Sequence, residues 1–135
     1  MTTLRRAALC LLALAATIYP GPRYNKIYTV AAGTPIQLAT VTTPANRVFI
    51  QMLTGGSGSG YVMDVSSYVA GTTPAHTTSG ELVAQLCPAT STAPGCSYSD
   101  TAGSAPGSGA IDISKLWIDG SNSGDTLVVS YDLRN

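Results

Sequence analysis

The chain has 135 residues, which is enough for one domain with a modest core and too few for two. Seven Lys and Arg balance seven Asp and Glu, and charged residues make up only 10% of the chain, well below the roughly one quarter usual in soluble proteins. This balance argues against nucleic acid as a partner, because phosphate binding needs clustered cations. A surface poor in charge suits an extracellular or assembled particle, and a net charge near zero favours association.

Residues 1–25 form an apolar N-terminal segment with the three parts of a secretory signal. Arg5 and Arg6 are basic, residues 7–18 are apolar, and residues 13–15 offer a small-x-small cleavage site after Ala15. The run of about twelve residues is too short for a stable membrane span, which takes roughly 20. Left uncleaved, it would be an arm or helix that must bury itself against something. The side chains expected at such a partner interface are Leu9, Leu11, Leu12, Leu14 and Ile18.

In residues 26–135, short apolar stretches of high β propensity alternate with turn signals, and this pattern predicts a β-rich domain. The predicted strands cover residues 24–30, 35–41, 47–53, 60–65, 81–86 and 127–132, with apolar runs also at 111–118. Residues 42–46 read as a turn, and residues 87–109 as a long surface excursion. Six to eight strands of this kind predict an all-β fold, a single β-sandwich of jelly-roll or immunoglobulin-like type.

The apolar phase changes within residues 111–118. Ile111 and Ile113 share one parity, whereas Leu116 and Ile118 share the other, so a bulge or a tight turn near Ser114 is expected.

Trp117 is out of phase with both of its apolar neighbours, Leu116 and Ile118. If those two face the core, Trp117 points outward and is a candidate partner contact, because aromatic residues are enriched at interfaces. The other interpretation places Trp117 in the core.

Cys87 and Cys96 enclose a loop rich in Pro, Ser and Thr. A disulfide between them would stabilise the fold by about 2–3 kcal/mol through loop closure, whereas a reducing compartment would leave two thiols. Zinc is not expected, because one His and these two Cys do not supply four ligands.

No residue set indicates a reaction, and we expect neither an enzyme nor a cofactor. His76 is the only imidazole, and Asp64 or Glu81 would have to approach it in space to form a triad, so an exposed loop histidine is the favoured interpretation. The glycines of residues 55–60 lack the spacing of a phosphate-binding loop. Residues 119–125 place oxygen-bearing side chains like the start of a calcium loop, but a Glu at the twelfth position is absent, so a hairpin turn is favoured.

Three stretches together resemble a known class of virion protein: residues 35–53, the Gly/Ser hairpins and residues 111–133. In style they are similar to the head decoration (cement) and accessory proteins of tailed phages. The resemblance implies a β-sandwich that uses an N-terminal arm to lock onto capsid subunits. It implies a virion location, the major capsid protein or other virion subunits as partners, and a homo-oligomer.

The leading hypothesis is therefore a structural virion protein, a decoration subunit that stabilises a phage head through its N-terminal arm and β-sandwich. The alternative is a secreted bacterial β-sandwich that binds carbohydrate or a cell surface after signal cleavage.

Overall fold

The computed structural model describes residues 21–53, 58–65, 74–77, 82–88, 95–103 and 109–134. Two antiparallel sheets account for nearly all regular structure in these ranges, which confirms the predicted all-β sandwich. The strands are β1 (Arg23–Thr29), β2 (Ile36–Gln37), β3 (Pro44–Met52), β4 (Gly60–Asp64), β5 (Leu82–Leu86), β6 (Ser97–Thr101), β7 (Ile111–Asp112), β8 (Leu116–Gly120) and β9 (Thr126–Leu133). A 3₁₀ turn, Ile113–Lys115, joins β7 to β8. None of the described segments forms a helix of the length and apolarity needed to cross a membrane.

The larger sheet has the order β1-β9-β3-β6, with the short β7 also paired to β3. The smaller sheet has the order β2-β8-β4-β5. The sandwich begins with β1 at Arg23, before the predicted domain boundary at residue 26.

The core lies between the two sheets and follows the period of two that the sequence predicts. Val48, Ile50 and Met52 on β3 are fully buried, whereas Phe49 and Gln51 on the opposite face are half-buried. Each fully buried apolar side chain of this size contributes about 1.5–3 kcal/mol. Further core residues are Val30, Leu38, Ala45, Val62, Leu86, Ile113, Leu116, Ile118, Leu127 and Val129.

Two predicted boundaries around β2 and β3 are wrong. Only Ile36–Gln37 of the predicted strand 35–41 pairs with β8, because the chain bends after them while the Leu38 N–H still donates to the Leu116 carbonyl at 3.0 Å. The predicted turn 42–46 is wrong at Pro44–Asn46, which starts β3 and pairs with β7. Proline is tolerated at the first residue of a strand.

Strand β6 lies inside the predicted surface excursion of residues 87–109. Ser97–Thr101 is polar and mostly exposed, and Tyr98 alone in it packs against the core. The strand forms because it pairs with β3 over five residues, from Arg47↔Thr101 to Gln51↔Ser97. Because pairing with β3 determines its conformation, β6 forms a strand without an alternation of apolar and polar residues in its own sequence.

The predicted tight turn near Ser114 is confirmed, and Asp112 holds it. The Asp112 Oδ1 atom accepts hydrogen bonds from Ser114 N–H (3.0 Å), Ser114 Oγ (2.7 Å) and Thr43 N–H (3.0 Å). Burial opposes ionisation of this carboxyl, but these three donors and the charge of Lys115 outweigh burial and lower its pKa. The turn absorbs the change of apolar phase between Ile113 and Leu116.

One edge of the sandwich is closed by a disulfide between the two sheets. Cys87 follows β5 of the smaller sheet, Cys96 precedes β6 of the larger sheet, and their sulfurs are bonded with Cα atoms 4.9 Å apart. The Cys96 N–H donates to the Cys87 carbonyl, and the Met52 N–H donates to the Cys96 carbonyl, each at 3.3 Å. This closure requires Gly95, since a Cβ there would lie 2.5 Å from Met52 Cβ and 3.0 Å from two carbonyl oxygens.

Gly95→Ala should therefore destabilise the protein by about 1–3 kcal/mol, the usual cost of forcing atoms into a tight site. The matched control is Gly109→Ala, because a Cβ at Gly109 meets nothing within 4 Å. Chemical denaturation of both variants measures the difference. Equal stability of the two variants would show that the close approach at Gly95 is not required.

Candidate interaction surfaces

Strand β1 is the terminal strand of the larger sheet and is exposed on both faces. Six of its seven residues are exposed, and Tyr28 is half-buried. Ile27 is 62% exposed in the middle of the strand, and Tyr24 is 47% exposed. In the described part of the chain, no strand pairs with the far side of β1. Among the described residues, β1 therefore has an unpaired edge with two large exposed side chains, Tyr24 and Ile27.

The hydrogen bonds of β1 show which backbone groups point away from the sheet. Toward β9, the Val30 N–H donates to Asp125 O at 2.9 Å, and the Pro22 carbonyl accepts from Leu133 N–H at 3.1 Å. Neighbouring residues of an antiparallel strand direct these groups to opposite sides. The residues of β1 that are an even number of positions from Pro22 and Val30 therefore direct their N–H and C=O groups to β9. The residues whose N–H and C=O point outward are Arg23, Asn25, Ile27 and Thr29.

The face of β1 that continues the core side of the sheet carries aromatic rings. Tyr24 stacks on Tyr131 of β9 with ring centroids 5.4 Å apart, and the Lys26 Nζ lies 4.5 Å from the Tyr28 ring centroid. Burial, together with the neighbouring phenols of Tyr28 and Tyr24, raises the pKa of Tyr131. The contact with the Tyr28 ring holds the Lys26 ammonium over one face of the strand and away from the backbone edge.

The outer face of the larger sheet holds a polar groove of about 420 Å³. Asp132 lies at its centre and accepts from Arg23 Nε at 2.8 Å and pairs with an Arg47 nitrogen at 3.2 Å. The hydrogen bond from Arg23, with the positive charge of both arginines, lowers the Asp132 pKa despite partial burial. The aromatic ring of Phe49 and several polar residues, including Ser99, complete the lining. The groove has an aromatic ring and hydrogen-bonding groups, the ingredients of a sugar or small polar ligand site.

The outer face of the smaller sheet holds the histidine that the sequence singled out. His76 Nδ1 lies 3.0 Å from Asp119 Oδ2, and the imidazole stacks on Tyr61 with centroids 4.0 Å apart. Asp119 is 1% exposed and Tyr61 is its partner across the β4–β8 ladder. The favoured interpretation, an exposed loop histidine, is wrong, because the His76 side chain is only 26% exposed and is bound to Asp119. Of the two acids considered as triad partners, Glu81 lies outside the described residues. No local pattern links His76 to Asp119, because the two residues are 43 positions apart.

A His–Asp pair resembles two members of a catalytic triad, but the third member is not visible. In the described segments, no hydroxyl or thiol hydrogen-bonds to the His76 ring. What the arrangement does physically is to anchor residues 74–77 on the smaller sheet through a buried carboxylate. Buried carboxylates need such donors because an unpaired one costs several kcal/mol, roughly, in a low-dielectric site.

Trp117 lies beside this anchor on the same outer face. Leu116 and Ile118 point into the core, as the first interpretation required, and Trp117 is half-buried next to Met63, its partner across the ladder. Met63 is fully buried although it lies outside the core cluster. The indole Nε1 is buried and meets no hydrogen-bond partner in the described part of the chain. Trp117 is thus on the outward face without being a free surface residue.

The loop of residues 119–125 uses its acids within the fold. Asp119 is hydrogen-bonded to His76, and the Asp125 Oδ2 atom accepts a hydrogen bond from the Gly58 N–H at 2.9 Å. Gly124 adopts a φ of +95°, as a tight turn between β8 and β9 requires. A tight turn is present, but the predicted hairpin is wrong: β8 belongs to the smaller sheet and β9 to the larger sheet, so the loop carries the chain from one sheet to the other.

A hollow of about 360 Å³ at one end of the sandwich collects three acids that are distant in sequence: Asp64, Asp100 and Asp112. Burial, then the charges of Asp100 and Asp64, raise the pKa of Tyr98 to about 12. The Asp112 carboxylate is already committed to the 3₁₀ turn. The hollow brings together the carboxylates that a two-carboxylate catalytic site needs. However, the Asp112 carboxylate is held by the turn and is not available for that role.

Five of the predicted interface residues, Leu9, Leu11, Leu12, Leu14 and Ile18, lie outside the described residues, as does Cys10. The structure therefore gives them no contacts. Trp117 is described above, and the predicted Cys87 and Cys96 pair is joined in the structure. The sequence does not predict which strand lies at the edge of the sheet, because no local pattern specifies strand order.

A double-mutant cycle of His76→Ala and Asp119→Asn tests the anchor. We expect His76→Ala to cost about 1–3 kcal/mol, since it leaves a buried acceptor without its donor. The coupling energy between the two sites should be about 0.5–3 kcal/mol. Tyr61→Phe is the control, because it keeps the stacked ring and should change stability by less than about 0.5 kcal/mol. A coupling energy of zero by thermal or urea unfolding would rule out the anchor.

No known protein family matches the chain, and no curated protein matches it. One solved structure, described by the words "Bacillus endospore appendages form a novel family of disulfide-linked pili", aligns over 87% of this chain and 94% of its own length. The sequence identity is 15% and the TM-score is 0.42. A TM-score below 0.5 does not establish a shared fold.

Proposed function

We propose that the chain is a structural protein, without enzymatic activity, that acts outside the reducing cytosol as one subunit of a larger assembly. In its specific form, the proposal is a decoration subunit on the capsid of a tailed phage. The observation that carries the proposal is the edge of β1 that no other described strand pairs with, where the N–H and C=O groups of the exposed Ile27 and of Asn25 and Thr29 point outward.

A free edge of this kind is a template on which another chain can add a strand. Soluble monomers usually protect such edges with bulges, inward charges or a covering loop. On β1 the register with β9 runs without a bulge from Arg23↔Asp132 to Thr29↔Thr126. The Lys26 ammonium lies over Tyr28, so it does not block the edge. These features support association with another subunit.

The disulfide supports the location. Disulfides persist in oxidising surroundings and are reduced in the cytosol. Here Cys87–Cys96 ties the two sheets together at one edge, and its loop closure stabilises by about 2–3 kcal/mol. The balanced charge of the chain further reduces repulsion between copies.

The absence of an enzymatic role is part of the proposal. The one imidazole is engaged by Asp119 and by the Tyr61 ring, so its role is accounted for by packing and hydrogen bonding. A hydrolase would also need a nucleophile at the free nitrogen of that ring.

In the phage form of the proposal, the apolar residues 7–18 bind the major capsid protein or another virion subunit. An apolar run of that length must be buried, and a neighbouring capsid surface would bury it. The β-sandwich then stands outside the shell, where the disulfide is exposed to an oxidising medium.

A secreted sandwich that binds carbohydrate is the second candidate, favoured by the groove beside Asp132 on the larger sheet. In that case, residues 1–15 would be removed on export and the groove would hold the sugar. The N-terminus of the native protein distinguishes the two candidates.

The test is fractionation of the native source, followed by mass spectrometry of the intact protein and its alkylated peptides. We expect the chain in a particle fraction, with a start at Met1 or Thr2, and with Cys87 and Cys96 resistant to alkylation until reduced. A start near Ala16 would overturn the phage form in favour of the secreted binder. A cytosolic monomer with two alkylatable thiols at these positions would overturn the structural proposal as a whole.

A further inference from the structure

The unpaired edge of β1 fits one partner better than others, namely a second copy of itself. The inference rests on the proposed assembly role and names the partner and the register. We propose that two copies of the chain pair antiparallel through β1 about a two-fold axis that passes at Ile27, joining their larger sheets into one continuous sheet.

The proposed register sets outward groups against outward groups. With Ile27 opposite Ile27 of the second copy, Asn25 lies opposite Thr29, and all of these residues direct N–H and C=O to the free edge. Facing residues of this kind exchange two hydrogen bonds per pair. No outward group between Asn25 and Thr29 is then left without a partner.

Side chains on both faces also match in this register. On the outer face, the two Ile27 side chains, each 62% exposed in the single chain, contact each other across the axis. On the other face, Lys26 lies opposite Tyr28 of the second copy. The geometry already seen within one chain, with Nζ 4.5 Å from the Tyr28 ring centroid, can thus be repeated between chains.

Electrostatics permits the pairing although β1 has cations and no acids. The Arg23 guanidinium is neutralised within its own chain by Asp132, at 2.8 Å. Lys26 lies diagonal to the Lys26 of the second copy, with Tyr28 rings between them. A register centred on Asn25 would instead set Ile27 against Arg23 and leave Thr29 beyond the end of the ladder.

Cysteine cross-linking tests both the pairing and the register in the full chain, on a Cys10→Ser background so that the introduced thiol is the free one. Facing Cα atoms in a hydrogen-bonded pair lie about 5.5 Å apart, within the range of about 4.4–6.8 Å that a disulfide spans. Ile27→Cys should therefore form a covalent dimer on mild oxidation. Thr29→Cys alone should not, since its two copies would be about 13 Å apart along the strands.

A mixture of Asn25→Cys and Thr29→Cys chains is the positive control for the register and should cross-link as a heterodimer. A homodimer of Asn25→Cys alone, or equal cross-linking of all variants, would overturn the register and with it the proposal. So would a failure of Ile27→Cys to cross-link.

Sedimentation of the full chain and of Ile27→Pro completes the experiment. Proline at this position removes an outward donor but no hydrogen bond to β9, so circular dichroism should show a folded protein. We expect a dimer for the wild type and a monomer for Ile27→Pro, while the control Ile27→Thr keeps its backbone donor and dimerises. Oligomers that persist in Ile27→Pro would overturn β1 pairing and leave the assembly role standing. A wild-type monomer, whether its edge is covered by its own N-terminal residues or awaits an unlike partner, would overturn the pairing and count against self-assembly.

Discussion

The larger sheet depends on β9, because this strand hydrogen-bonds to β1 on one side and to β3 on the other. Its inward residues, Leu127 and Val129, are fully buried against the smaller sheet. Its outward Asp132 binds arginines from both neighbouring strands. In the described part of the chain, β9 is the one strand that pairs with β1, so half of the β1 backbone groups are bonded in that ladder and half point away from it.

The two edges of the sandwich are therefore unlike. At one edge, Gly95 lets the backbone approach Met52 closely enough for Cys87 and Cys96 to bond the sheets together. At the other edge, β1 has seven residues, six of them exposed, and β2 has two. Among the described residues, the sandwich is thus closed by a disulfide at one edge and has unpaired backbone groups at the other. This asymmetry supports the proposed assembly role.

How far the sequence predicts this molecule depends on whether the signal is local. The alternation in β3 and β9 and the phase change at Ser114 are local, and the structure has strands and a 3₁₀ turn there. Strand β6 was missed because it is polar, and its pairing with β3 decides its conformation. The pairing of His76 with Asp119 also depends on distant contacts, because the register of β4 and β8 sets Tyr61 opposite Asp119 and the segment 74–77 packs on both. The sequence left Trp117 open between the core and the outward face; the structure has it on the outward face, half-buried against neighbours that are distant in sequence.

Residue-resolved hydrogen exchange by NMR tests the central claim most directly, because β1 has two sets of amides with opposite directions. At concentrations where copies pair, the amides of Lys26 and Tyr28 and those of Asn25, Ile27 and Thr29 should all be protected. On dilution to the monomer, the first set should stay protected by β9 while the second exchanges rapidly. Rapid exchange of the second set at every concentration, or its protection in the monomer, would contradict the account.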